Sequence, residues 1–477
     1  LTLDEDSMRD VPRPPARRSV ALAVILMCQL MVVVDVNVVN IALVPIQRTL
    51  HFSTANLAWV VDAYTVTFGG LLLLGGRAGD VFGRRRMLIA GLTLFTLASL
   101  TGGLATSATM LLVARAIQGV GAAMASPSTL SLISAIFAEG PERNRALGTF
   151  TAVSAGGGSF GLVAGGALVS WVSWRWVLFI NVPIGVAAIA LAPRFVPEPP
   201  RNGGKLDLPG AVLVTLGISA VTYGFIRLAQ HGTLGPTLGT FLSGAVLLTA
   251  FVLVEQRRAR PLFPLRLLAH RPRAAAYAVF LLVPSLMFGV FFFTSQYMEK
   301  DLHFSAIRTG LGFLPLTMLI FAFSRVGPRL VARFGARPII LFGLTLLVIA
   351  ALWISRATAG EGYLRGLAGP LVLFGLGVSS CFLPVSITIL GGVPREDAGA
   401  ASGMLQTMQQ TGASLGIASL TSVAVTYGRS GAMVAGAGIA GVALLISLCF
   451  ITPTRTGSPG ALPPELELDA EAVAVFE

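Results

Sequence analysis

The sequence predicts an all-α polytopic membrane protein: two parallel six-helix halves plus two extra linker helices, fourteen transmembrane helices in all. Three observations predict it. The 477-residue chain is 54% hydrophobic and only 12% charged, about half the charged share of roughly 25% found in soluble domains. Its apolar residues gather into runs of about 20, the length that crosses a bilayer. Two stretches early in the chain also recur late in it.

In chain order, the apolar windows fall at 19–44, 57–76, 87–106, 109–137, 146–170 and 174–193, then at 208–228 and 236–255. Six more follow at 274–298, 306–324, 338–356, 364–390, 398–427 and 431–452. The first carries one charge, Asp35, and is too long and too soon followed by another for a cleaved signal peptide. Arg115 is the one charge of the fourth. The fifth is glycine-rich, the composition of helices whose backbones pack closely. Arg227 lies at the edge of the seventh and Pro315 near the centre of the tenth.

The connections set the sidedness. Arg9, Arg13, Arg17 and Arg18 precede the first window, and Arg84, Arg85 and Arg86 follow the second. The loops holding Arg257 to Arg273 and Arg325 to Arg337 lie on the same side. Positive loops stay in the cytoplasm, so both termini are expected there. The organisation follows: residues 1–18 form a cytoplasmic segment, 19–193 the first half, and 194–273 the linker with helices 7 and 8. Residues 274–452 form the second half, and 453–477 an expected disordered tail.

Other classes fit poorly. The net charge of +12 invites a nucleic-acid reading, but a nucleic-acid binder gathers its basic residues on one polar face. Here they sit in short clusters between apolar runs, so no nucleic-acid partner is expected. Cys28, Cys381 and Cys449 lie in apolar stretches and make no disulfide framework. His51, His231, His270 and His303 lack metal-ligand spacing. There is no phosphate loop for ATP and no catalytic constellation, so neither an enzyme nor a resident metal or cofactor is expected. No loop is long enough for the soluble module of a receptor or scaffold.

The repeat lies in two places. Arg77, Phe82, Gly83, Arg85, Gly91 and Leu92 match Arg329, Phe334, Gly335, Arg337, Gly343 and Leu344, an offset of 252. Ala146, Gly148, Gly157, Ser159 and Gly161 match Ala401, Gly403, Gly412, Ser414 and Gly416 at offset 255. Spans 1–6 and 9–14 are therefore two copies of one unit. The even number of helices between them keeps the copies parallel. Spans 7 and 8 have no counterpart, and are expected outside both halves and away from any substrate path.

Four motifs stand in order along the chain. They are Asp35-Val-Asn-Val-Val-Asn-Ile-Ala-Leu-Val-Pro45, Gly76-Arg-Ala-Gly-Asp-Val-Phe-Gly-Arg-Arg-Arg86, Arg115-Ala-Ile-Gln-Gly-Val-Gly-Ala-Ala123 and Gly157-Gly-Ser-Phe-Gly-Leu-Val-Ala-Gly-Gly166. Trp174-Arg-Trp and Ile180-Asn-Val-Pro-Ile-Gly185 follow the last. With these motifs the chain resembles the fourteen-span drug:proton antiporters of the major facilitator superfamily over nearly its whole length. Asn37 stands where that family usually has Thr, and Leu162 where it usually has Pro. The resemblance implies a secondary exporter of a bacterial inner membrane, driven by the proton gradient and needing no cofactor, that moves amphipathic organic compounds outward in exchange for protons. A dedicated exporter of one endogenous metabolite, antibiotic or lipid-like molecule is the second reading. Membrane lipids, protons and a small-molecule substrate are its expected partners, and a monomer its expected state.

Asp35 is the most telling residue, because a charge at a helix centre costs about 2.5–3.5 kcal/mol on insertion scales. Such a carboxylate faces a cavity or has a partner. Asp35, Arg115 and Asp62 lie roughly 9 to 13 Å below one surface at 1.5 Å per residue, close enough in depth to pair and separate. Those three are the expected proton-coupling set. The alternatives are that Asn37 or Asn40 satisfies Asp35, that Arg115 merely tethers a backbone, and that Asp62 contacts a helix dipole. Asp35, Asn37, Gln118, Met287, Phe288 and Phe291 are expected at the substrate, with Gln406, Gln409 and Gln410, which share one face of span 13. The alternative for the aromatic stripe is a surface facing lipid or core, and for the glutamines hydrogen bonding between helices.

Gly79, Asp80, Gly83, Arg84 and Arg85 are expected to gate. By the resemblance, Asp80 caps a neighbouring helix or pairs with Arg143 or Arg145, latching the halves in the outward-open state. Gly157, Gly161, Gly165 and Gly166 complete the gating set, as small residues that let helices slide close together.

Overall fold

The computed structural model describes residues 15–137, 141–199, 207–230, 233–258, 265–393 and 397–451. The expected tail 453–477 and residues 1–14 lie outside them. Among the described residues the secondary structure is helical and no strand occurs. The first half comprises α1 (Pro15–Leu50), the short α2 (Thr54–Leu57), α3 (Trp59–Phe82), α4 (Arg84–Gly103), α5 (Ala108–Ile136), α6 (Pro141–Trp171), the short α7 (Trp176–Phe179) and α8 (Asn181–Phe195). The linker holds α9 (Leu208–Ala229) and α10 (Leu234–Arg257). The second half comprises α11 (Arg271–Lys300), α12 (Ala306–Gly312), α13 (Leu314–Phe334), α14 (Ala336–Arg356), α15 (Gly369–Leu390) and α16 (Ala398–Phe450).

Twelve helices among the described residues are long and apolar enough to cross a membrane. The 31-residue α6 is not one of the twelve, and α16 is a 53-residue element interrupted at Gly428, where φ is 70°. Fourteen crossings are reached by counting α6 and both limbs of α16. The expected span 306–324 is split at Phe313. Pro315 explains why the helix restarts there: its fixed φ and missing N–H suit a first helical turn.

The two halves are built alike. In the first, α1 packs on α6, and α5 on both α3 and α4. In the second, α11 packs on α16, and α15 on both α13 and α14. Details repeat as well. Gly83 joins α3 to α4 with φ 110°, and Gly335 joins α13 to α14 with φ 81°, a region open mainly to glycine. A methyl group on Gly91 would stand 2.6 Å from the Gly121 carbonyl of α5, and one on Gly343 2.8 Å from the Gly377 carbonyl of α15. Backbone therefore meets backbone at both crossings, and each position is one of the sequence identities of the repeat.

Two arginines complete the pseudo-symmetry. Arg175 donates to the carbonyls of Gly103 and Ala105 at the end of α4, and stacks 4.6 Å from the Trp174 ring. Arg429 donates to the carbonyls of Ile354 and Ala357 at the end of α14, 3.9 Å from the Tyr297 ring. Each satisfies carbonyls that a helix C-terminus leaves without partners.

The halves meet along two seams. At the end remote from the Gly76–Arg86 loop, Ser170 Oγ of α6 accepts from the Ile307 amide of α12 at 3.0 Å, and Lys300 Nζ donates to Gln47 Oε1 at 2.8 Å. Gly166 abuts the Ala306 carbonyl there, and Gly310 abuts that of Leu162. The second seam runs between α3 and α16.

The linker pair divides in role. α10 packs on α9 and turns Leu238, Leu242 and Val246 outward. α9 packs on both α3 and α16, covering the seam between them. Its Val214 and Ile218 bury against Val66, while Val212 and Leu216 stay exposed.

Candidate functional site

Asp35 is wholly buried midway along α1, and Arg115 of α5, 1% exposed, reaches it. Arg115 Nη1 donates to Asp35 Oδ2 at 2.5 Å and to Gln118 Oε1 at 3.0 Å. Its Nε donates to the Val60 carbonyl of α3 at 2.9 Å, and the guanidinium stacks 4.5 Å from the Tyr64 ring. The tether and the counter-charge, posed as alternatives by the sequence, are thus one side chain doing both. Asp35 Oδ1 accepts from Gln118 Nε2 at 3.1 Å and from Asn181 Nδ2 of α8 at 3.2 Å. Gln118 Nε2 also donates to Ser99 Oγ of α4 at 2.7 Å. A buried ion pair is tolerable when further hydrogen bonds surround it, and here helices α1, α3, α4, α5 and α8 converge to supply them.

Asn37 and Asn40 do not serve Asp35. Their side-chain amides donate to the Val33 and Val36 carbonyls of their own helix at 2.7 and 2.9 Å. Asn37 remains half-buried beside Gly158.

Asp62 occupies the first turn of α3, equally buried, and neither carboxyl oxygen has a partner at normal hydrogen-bond distance among the described residues. The side chain of Ser414 on α16 neighbours it. Ser414 Oγ in turn lies 3.2 Å from Thr222 Oγ1 of α9, and both hydroxyls are wholly buried. The two buried carboxyls of the first half therefore differ: Asp35 is charge-paired within the half, and Asp62 faces the seam with no counter-charge among the described residues.

The second-half candidates fall into two groups. Gln410 is buried against Gly69 of α3, while Gln406 and Gln409 are half-buried. Phe288 and Phe291 are buried in the core, Phe291 stacking 4.8 Å from Phe313, and Met287 is half-buried. The structure thus brings Asp35, Arg115 and Gln118 together, and puts Asp62 on the cross-half seam with Gln410.

In the loop, Asp80 pairs with Arg84 at 2.6 Å and with Arg77 at 4.0 Å, inside its own half. Arg143 donates to Ser134 Oγ at 3.0 Å. Glu198, beyond α8, caps α4: its Oε1 accepts from the Arg85 amide at 3.1 Å and lies where a side chain on Gly83 would go. Arg84 covers Gly79 in the same way. Gly157, Gly161 and Gly165 lie against Val33, Val34 and Val38 of α1, and Gly166 against α12.

Sequence reasoning missed Ser99, Asn181, Tyr64, Glu198, Ser414 and Thr222. Asn181 offered a signal, as a lone amide between two apolar stretches. Ser414 offered one as the repeat match of Ser159, while Ser99 and Thr222 offered none.

The profile described as Major Facilitator Superfamily matches residues 25–417 and again 329–466. The chain is 39% identical over 457 residues to the cephamycin export protein CmcT of Amycolatopsis lactamdurans, covering 93% of this chain and 94% of that one. It is 40% identical over 416 residues to the puromycin resistance protein pur8 of Streptomyces alboniger, covering 86% and 82%. Among solved structures, the peptide transporter POT in complex with sulfate has a similar fold, with a TM-score of 0.67 at 14% identity over 94% of this chain and 97% of that one. The multi-helix bundle, its duplicated halves and these matches agree: the chain is a multi-pass membrane protein that belongs to the major facilitator superfamily.

Proposed function

We propose that this protein exports an antibiotic-type organic compound across a bacterial inner membrane in exchange for protons. The observation that carries the reading is the pair of buried carboxyls in the first half, Asp35 held by Arg115 and Asp62 left without a counter-charge at a seam between halves. A charge buried alone is costly, whereas a paired one is tolerated. Separating Asp35 from Arg115, or wetting Asp62, changes which carboxyl can hold a proton. That is the requirement for coupling proton movement to rearrangement of the halves.

The arginine-rich loop end faces the cytoplasm, and the end closed by Lys300–Gln47 and Ser170–Ile307 faces outward. This conformation is then the outward-closed one. The half-buried Asn37, Gln406, Gln409 and Met287 are the side chains available to a substrate. Asp80 pairs with Arg84 of its own half in this conformation, and its proposed latch across the halves engages when the outer end opens. The relatives named for cephamycin export and puromycin resistance make single antibiotics the first substrates to try. They also favour the second reading, a dedicated exporter of one such compound.

The test is transport by the purified protein in proteoliposomes under an imposed pH gradient, with a cephamycin and puromycin as substrates. Accumulation that collapses with an uncoupler supports the reading. Movement that ignores the gradient contradicts it.

A further inference from the structure

The inserted helix α9 has no counterpart in the repeat, yet it lies beside Asp62. Along α3, Asp62, Val66 and Gly70 recur every four residues and so share one face. Along α9, Val214, Ile218 and Thr222 do the same. The two faces run antiparallel in register: Thr215 fills the space over Gly70, Val214 and Ile218 bury against Val66, and Thr222 comes level with Asp62. α16 approaches the same place from the other half, with Leu73 over Gly403, Gln410 over Gly69 and Ser414 beside Asp62. The Thr222–Ser414 contact of 3.2 Å therefore joins the linker to the second half, across the first half's unpaired carboxyl.

We propose that α9 is a wall of the Asp62 site and that Thr222 is a positioning residue, holding the Ser414 hydroxyl against Asp62 while the outer end is closed. This rests on the reading of Asp62 as a proton carrier. The tight packing of α9 on α3 keeps Thr222 with the first half, while Ser414 travels with the second. When the halves part along this seam, the hydroxyl pair breaks and Asp62 changes its surroundings. The linker thereby reports the position of α16 to the carboxyl.

Among the described residues, the other charged groups on the helices packed against α3 form no ion pair with Asp62. Arg115 of α5 is held by Asp35 of α1, and Arg227 of α9 lies 5.9 Å from the Tyr223 ring. Arg429 of α16 binds the end of α14, and the arginines of α4 lie at the loop end.

The experiment is the pH profile of substrate transport in proteoliposomes for Thr222→Val, Thr222→Ser, Ser414→Ala and Asp62→Asn, each alone, and for Thr222→Val combined with Asp62→Asn. Valine keeps the shape of threonine without its hydroxyl. We expect Thr222→Val and Ser414→Ala to move the midpoint by up to about one pH unit, the most that one neutral hydrogen bond contributes. Thr222→Ser should restore it, and Thr222→Val should have no further effect once Asp62 is Asn. An unchanged profile in folded Thr222→Val, with Asp62→Asn still altering transport, overturns the role of α9. A wild-type profile in Asp62→Asn instead overturns the reading of Asp62 itself.

Discussion

At the residue scale, Arg115 concentrates the account. Its guanidinium uses separate N–H groups for the Asp35 carboxylate, the Gln118 side chain and the Val60 carbonyl, and a face for Tyr64. Lysine keeps the charge but loses the planar fork and the stacking face. Arg115→Lys is therefore expected to lower gradient-driven transport about tenfold or more, the effect of losing one hydrogen bond to a charged group. Comparing initial rates with the amount of folded protein checks it; wild-type rates would show that charge alone suffices. Asp35 and Arg115 were legible in the sequence because charge within an apolar run is rare and demands a partner. Ser99 and Thr222 were not, because a hydroxyl is cheap enough in a helix to occur without purpose, and their partners lie on other helices.

At the element scale, duplication explains most of the packing. Gly91 and Gly343 recur because each permits a backbone crossing, and Gly83 and Gly335 because each turns a tight corner. This part of the fold was legible as spaced identities. The matched arginines were not, since Arg175 and Arg429 stand in different local sequences and only their shared task, closing the ends of α4 and α14, relates them. Arg429→Met should cost about 1–3 kcal/mol of stability through its lost bonds to two carbonyls. A lower melting temperature of the detergent-solubilised protein checks this, and an unchanged one would deny the arginine its capping role. The linker was the least legible element. The absence of a repeat partner suggested a bystander, while the face that α9 buries is set by α3 and α16, which no local pattern in α9 reveals.

At the scale of the whole molecule, the two halves are closed on each other at one end, through α6 with α12 and α1 with α11. A transporter that alternates must break these contacts in every cycle. Cysteines at Ser170 and Ile307 should therefore cross-link under oxidation and stop transport, with recovery on reduction; undiminished transport by the cross-linked protein would mean that this end need not open. The larger claim is that proton movement drives the cycle through the buried carboxyls. One charge crossing 100 mV supplies about 2.3 kcal/mol, enough for roughly a fortyfold gradient of a neutral substrate at about 1.4 kcal/mol per decade. Asparagine at position 35 keeps the volume of aspartate but cannot titrate. The most direct measurement is substrate accumulation by Asp35→Asn in proteoliposomes under an imposed pH gradient, alongside counterflow without one. The account predicts that accumulation against the gradient is lost while counterflow persists; accumulation at the wild-type level would contradict it.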